Sequence, residues 1–469
     1  MNSKQNDLFV NQMWDDSIIP TLMEYIKIPN KSPLFDPDWR TKGYMDDAVQ
    51  LLANWSKTHA IPNMQLEIVQ LENRTPVIFI EVPGNNDDTV LLYGHLDKQP
   101  EMTGWDADLH PWKPVLRNEK LYGRGAADDG YALFASLTAI KSLHEQGLPH
   151  ARCVILIEAC EESGSFDLPY YIQHLENRIG KPSLVICLDS GCGNYDQLWV
   201  TTSLRGMVGG VLKIEVLSQG IHSGIGSGIV PSCFRVLRQL INRIENEKTG
   251  DVLLENLQVA IPTQREQQAE RAANVLGEAV YKDLHFLPHV KPESTHVPEL
   301  LLRQTWKPAL SVIGIEGIPT IENAGNVTLP QLSVKLSMRL APTSDASEAL
   351  HILKTRLEEN PPHNVNITFT VNEAANGWNA PAEEAWLLKA TEEASQAYFG
   401  REAICMGEGG SIPFIGMLGE KFPQAQFLIT GVLGPESNAH GPNEFLHLPT
   451  GKKLTACVAH IIAQHYTKN

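Results

Sequence analysis

The apolar positions of the chain fall into two textures. Between residues 66 and 190, short continuous apolar runs recur: PVIFIEV (76–82), TVLLY (89–93), CVILIE (153–158) and LVICL (184–188). A run that is apolar on both faces suits a strand covered on both sides, as in a parallel sheet. LEIVQ (66–70) adds a more polar strand. Between the runs, residues 130–146 repeat Leu133, Leu137, Ile140 and Leu143 at helical spacing, and 168–178 predicts another helix. This alternation predicts a mainly parallel sheet covered by helices. Ahead of it, helices are expected over 6–28, divided near Pro20, and over 44–59.

After about residue 205 the texture changes. QLSVKLSMRL (331–340) alternates strictly, with Leu332, Val334, Leu336, Met338 and Leu340 on one face. VNITFTV (365–371) alternates likewise, and a helix over 345–358 lies between the two. Such strands belong to an antiparallel sheet with one solvated face. Residues 248–308 read as helices and loops that carry no chemical signal. From about 380 the first texture returns, with helices over 381–397 and 450–464 flanking a strand at 426–430. The pattern predicts an α/β domain formed by 1–204 and 373–469, interrupted by an inserted α+β domain at 205–372.

Composition narrows the partners. Thirty-eight basic residues against 55 acidic ones give a formal net charge of −17, which disfavours nucleic acid and anionic membrane. No apolar run approaches membrane-spanning length, and the first residues lack the layout of a secretion signal. Seven cysteines with no CxxC pair read as reduced, buried thiols, so a cytoplasmic location is expected.

Candidate chemistry lies at the ends of the apolar runs. His95, Asp128, Glu162, Asp189 and His440 each follow such a run or sit in a Gly-rich loop. In an open α/β sheet those positions converge on one rim. Two imidazoles and several carboxylates suit a divalent ion of the zinc, cobalt or manganese kind. Two ions need a shared carboxylate, and Asp128 is a natural bridge. Asp97, two residues beyond His95, suits the acceptor for the ring N–H that faces away from metal. The Glu161–Glu162 pair divides into one ligand and one free carboxylate that moves a proton. An isolated His-x-Asp is more often a surface turn, and acidic pairs are more often solvated; recurrence after successive buried strands favours the metal site.

GHLD (94–97), GRGAADDG (123–130), EESGS (161–165), CLDSG (187–191), GIHSG (220–224) and HGPNE (440–444) together resemble the M20 family of metallopeptidases, nearest its carnosinase-like, cytosolic nonspecific dipeptidase branch. The motifs span nearly the whole chain in the family's order. The resemblance implies a Zn-peptidase-like catalytic domain and an inserted lid that also forms a homodimer. It implies two divalent ions, zinc foremost, with His95 and Asp189 on one, Glu162 and His440 on the other, and Asp128 between. Asp97 falls at the orienting carboxylate and Glu161 at the general base. His222 falls at a lid histidine that reaches the partner subunit's site. Arg339 falls at a clamp for the substrate's carboxylate, a role its forked guanidinium suits. Glu408, Gly410 and Ser411 fall near the substrate's amino end. The implied activity is cleavage of dipeptides or very short peptides by a metal-bridged hydroxide, with N-acyl-amino-acid deacylation as the alternative. The chain departs from the branch at Gly130, where a lysine is usual after the paired aspartates, and in ENAGNVTLP (322–330).

Overall fold

The computed structural model describes residues 1–468, apart from the side chain of Pro413; Asn469, the last residue of the predicted first domain, lies outside them. The chain divides into two compact units. One comprises Met1–Thr202, Ala380–Met406 and the residues from Met417 on; the other comprises Ser203–Asn379 and Gly407–Gly416.

The first unit opens with α1 (Ser3–Met13), a π-helical turn at Trp14–Ile18, and α2 (Ile19–Ile26). Pro20 sits in the first turn of α2, where its missing N–H and fixed φ are tolerated. It therefore divides the helical run without ending it. The chain continues through α3 (Tyr44–Thr58), β1 (Gln65–Val69), β2 (Val77–Val82), β3 (Thr89–His95), α4 (Ala132–Glu145), β4 (Arg152–Glu158) and β5 (Pro182–Cys187).

In the second unit, β6 (Gly206–Glu215), α5 (Val297–Thr305), β7 (Ala309–Glu316), β8 (Gln331–Leu340), α6 (Ala346–Glu358) and β9 (Asn366–Ala375) follow in order. These four strands form an antiparallel sheet in the order β7-β8-β6-β9. The alternation in β8 is realised directly. Leu332, Val334, Leu336, Met338 and Leu340 are all buried, in one cluster with Leu353 and Leu357 of α6. Each such side chain contributes about 1.5–3 kcal/mol by leaving water.

The chain then returns to the first unit with α7 (Ala385–Tyr398), β10 (Gln426–Ile429) and α8 (Leu448–Tyr466). The six-stranded sheet of that unit runs β1-β2-β4-β3-β5-β10. β4, β3, β5 and β10 are parallel. β2 runs antiparallel to both β1 and β4; only residues 70–76 join β1 to β2, too few for the crossover that a parallel pair needs. β3 lies inside the sheet and is buried along its whole length.

The compact units and the predicted domains differ at 203–204, 373–379 and 407–416, all of which fall in the second unit. Gly407–Gly416 belongs to the second unit, although the sequence places 373–469 with the first. Side-chain bonds account for this. Arg205 donates from Nε to the Gly409 carbonyl at 3.2 Å, and Arg339 donates from Nη1 to Ser411 Oγ at 3.1 Å.

Candidate metal centre

The parallel strands of the first unit all deliver polar residues past their C-terminal ends. His95 closes β3, and its N–H donates to Asp129 Oδ2 at 3.3 Å. Asp128 and Asp129 lie in the tight turn Ala126–Gly130, joined by a cis peptide bond. Glu161 and Glu162 occupy a single 3-10 turn after β4, and Asp189 follows β5 by two residues. His440 arrives from the loop after β10, with φ +64°.

These residues converge into two triads that share one carboxylate. His95 Nε2 lies 3.2 Å from Asp128 Oδ1 and 3.6 Å from Asp189 Oδ2. His440 Nε2 lies 2.9 Å from Asp128 Oδ2 and 3.3 Å from Glu162 Oε2. Within each triad the potential ligand atoms all fall within 4.8 Å of one another. The two oxygens of Asp128 thus face different imidazoles. Glu161 stands beside the first triad, its Oε2 4.0 Å from His95 Nε2.

Asp97 has a different immediate partner from the one its spacing suggests. Its carboxylate is 3.6 Å from His95 Nδ1, whereas its backbone carbonyl is nearer at 3.1 Å. The carboxylate instead accepts the backbone N–H groups of Glu161 and Glu162, at 3.1 and 3.0 Å. A fully buried Asp97 therefore fixes the turn that carries both glutamates and still borders the imidazole.

The electrostatics fit a dication. Burial first, then neighbouring carboxylates, pushes the Glu161 carboxyl up to about 8, and Glu162 and Asp189 also rise well above the usual range. Asp128 goes the other way. Burial would raise it, but hydrogen bonds with His440 and His95 hold it below the usual carboxylate range. Hydrogen bonding to Asp128 likewise raises both imidazoles despite burial. An acid cluster this poorly compensated, with nitrogen and oxygen donors at ligand spacing, fits borderline-to-hard divalent ions.

The remaining predicted residues lie in the second unit. His222 is exposed, and its Nδ1 accepts the Gly224 N–H at 3.1 Å. Arg339 is half-buried on β8 and bonded to Ser411; Gly410 is exposed and Glu408 half-buried in the same segment.

Several supporting residues have no spacing signal. Arg124 and Glu444 form a fully buried ion pair through Nη1 and Oε2. Arg124 also donates to the Gly441 carbonyl at 2.8 Å, while Glu444 Oε1 accepts the Gly125 N–H at 2.9 Å. The pair ties the turn bearing Asp128 to the loop bearing His440. Gln99 donates from Nε2 to Glu162 Oε2 at 2.6 Å. Both members of the ion pair lie inside GRGAADDG and HGPNE, but nothing in a linear reading joins residues 320 positions apart.

Residues 91–464 match the model of peptidase family M20/M25/M40, and the chain belongs to that family. It is 24% identical over 404 residues to a cysteinylglycine-S-conjugate dipeptidase of Corynebacterium striatum, covering 85% of this chain and 86% of the relative. It is 26% identical over 407 residues to a Cys-Gly metallodipeptidase of Schizosaccharomyces pombe, covering 83% of each. The crystal structure of human carnosine dipeptidase 1 has the same fold, with a TM-score of 0.78, 20% identity, and coverage of 100% of this chain and 99% of that one.

Proposed function

We propose that this protein is a metal-dependent dipeptidase that binds two divalent ions and hydrolyses the amide bond of dipeptides or very short peptides. The observation that carries the reading is the sharing of Asp128 between two triads. Family membership and dipeptidase relatives matching more than four-fifths of the chain support it.

In this reading His95, Asp189 and Asp128 hold one ion, and Glu162, His440 and Asp128 hold the other. The bound ions supply Lewis-acid polarisation of the scissile carbonyl and acidify water. Glu161, beside the triads, takes the proton from the attacking water and delivers it to the leaving amine. Its carboxylate is poised for this because burial raises its affinity for the proton. Asp97 keeps Glu161 and Glu162 in register through their backbone N–H groups.

Arg339 takes the substrate's free carboxylate, with Ser411 as its hydrogen-bonded companion. Glu408, Gly410 and Ser411 are assigned to the amino end of the substrate, with the Ser411 hydroxyl also accepting from Arg339. His222 acts across a homodimer formed through the second unit. Zinc is the resident metal, with manganese or cobalt as substitutes. Cytoplasmic residence is supported by seven cysteine thiols, six of them buried.

The test is a substrate panel run after chelation and separate restoration of zinc, manganese or cobalt. Dipeptides should be cleaved only by restored enzyme, with metal content near two per chain. Cleavage of N-acyl-amino acids in preference to dipeptides would replace this reading with a deacylase. Full activity in chelated protein would refute both.

A further inference from the structure

The stretch 248–308 carries no chemical signal as sequence, yet it forms most of the lining of an open cavity of about 420 Å³ within the second unit. Val280, Tyr281, Leu284, Phe286, Leu300 and Leu310 supply apolar and aromatic walls, with charged and polar side chains making up the rest of the lining. The volume falls in the range of about 300–1,000 Å³ that small-molecule sites occupy.

Two residues connect this cavity to the proposed carboxylate clamp. Ala309 lines it, and Ala309 on β7 is the register partner of Arg339 on β8. Directly opposed residues on paired strands project to the same face, with Cβ atoms about 4.5–5.5 Å apart. Arg205 is the second link. It lines the cavity, and its Nε–H donates to the carbonyl of Gly409, two residues before the Ser411 hydroxyl that Arg339 holds. Its Nη1 donates to the carbonyls of Arg303 and Lys307, both at 3.3 Å, so it fastens the end of α5 to the same segment. Burial, reinforced by the like charge of Arg339, brings the Arg205 guanidinium down to about 10. The corner between the cavity and the clamp is therefore rigid and electropositive.

We propose that this cavity is the side-chain pocket for the carboxylate-bearing residue of the substrate, and that it selects bulky apolar or aromatic side chains there. The inference rests on the reading of Arg339 as the carboxylate clamp. A residue held at Arg339 by its carboxylate carries its side chain two bonds from the carboxylate carbon, beside the segment that Arg205 ties to the cavity. The lining also includes Glu245 and Glu293, and burial with mutual repulsion raises the Glu245 carboxyl. These acids disfavour an acidic side chain. The six apolar and aromatic walls give a bulky apolar side chain more surface to bury than a small one can use.

The test uses metal-restored enzyme and dipeptides that share an N-terminal alanine and end in glycine, leucine, phenylalanine, tryptophan, lysine or glutamate. The leucine, phenylalanine and tryptophan substrates should exceed the glycine one in kcat/KM by at least about 10-fold, as hydrophobic pockets commonly discriminate. Val280→Trp, which fills the cavity, should bring that ratio to within about threefold. Phe286→Ala, at a partly exposed wall, should lower the same ratio without risk to the fold. A flat profile, a preference for lysine, or equal losses for glycine and phenylalanine substrates in both variants would overturn the pocket. Failure of the underlying reading looks different. If Arg339→Met leaves the preference for a free carboxylate over a C-terminal amide unchanged, the clamp itself is wrong. If that preference collapses while the side-chain profile is flat, only the pocket is wrong.

Discussion

At the scale of single residues, the proposed site depends on groups that do opposite things within a few ångströms. Glu161 and Glu162 share one turn, and both backbone N–H groups end on Asp97, yet only Glu162 lies in a triad. Glu161→Gln removes the proton acceptor and keeps the shape. It should leave metal content near two per chain and lower kcat by about 10²–10⁴-fold, the usual worth of a positioned acid–base group. Metal analysis beside steady-state kinetics checks this, and near-normal kcat would remove Glu161 from the base role. The Arg124–Glu444 pair calls for a different experiment. Breaking a fully buried pair leaves one uncompensated charge, at a cost of about 3–5 kcal/mol. Arg124→Met should lower stability by that order, and because Arg124 also holds the Gly441 carbonyl, metal retention should fall from two ions per chain toward one. The double change Arg124→Met with Glu444→Leu should recover part of the stability in chemical denaturation and little of the metal. Equal metal loss from both triads would show that the pair does not act through the His440 loop.

At the scale of elements, what the sequence disclosed depended on whether a signal was local. Strand positions in the first unit are legible because β3, β4 and β5 are apolar on both faces, and residues just beyond them are candidates for that reason alone. The β8 alternation fixes its buried face residue by residue. By contrast, the antiparallel pairing of β2 with β4, the transfer of Gly407–Gly416 to the second unit, and the Asp97 contacts all rest on partners distant in sequence. The last helix gives an element-scale prediction. His465 of α8 is buried, and its Nε2 lies 2.7 Å from both Ser183 Oγ and Lys468 Nζ. The lysine ammonium can only donate, so the imidazole accepts and is neutral. Burial, with the Lys468 charge second, lowers its pKa to about 4, although Asp88 opposes the shift. Between its ordinary value near 6.5 and about 4, the unfolded chain takes up a proton that the folded chain refuses. Stability from this group is complete above about 6.5 and falls as the pH drops toward 4, by roughly 3 kcal/mol at most. Urea unfolding of wild type and His465→Gln across pH 4–7 reads the difference, which cancels metal loss common to both. Parallel pH profiles would show that the imidazole is not held neutral.

At the scale of the whole molecule, the remaining question is whether one chain suffices for turnover. His222 is exposed, yet in the proposed reading it serves the partner's site, so isolated chains would lack a group that each site needs. His222→Ala should therefore lower kcat strongly, keep both ions, and leave folding stability within about 0.5 kcal/mol, as befits an exposed residue. The decisive measurement mixes this variant with Glu161→Gln. In a mixed dimer, the His222→Ala chain keeps its own Glu161 and receives His222 from its partner, so one of the two sites is complete. Random exchange makes half the dimers mixed, and activity should recover to about a quarter of wild type. Either variant alone stays near its low baseline, so recovery cannot come from leftover activity. Exchange must be demonstrated independently, for example by energy transfer between differently labelled chains. Exchange without recovery would place His222 in service of its own chain or of none, and a particle that sediments as a monomer while fully active would remove the homodimer from the mechanism.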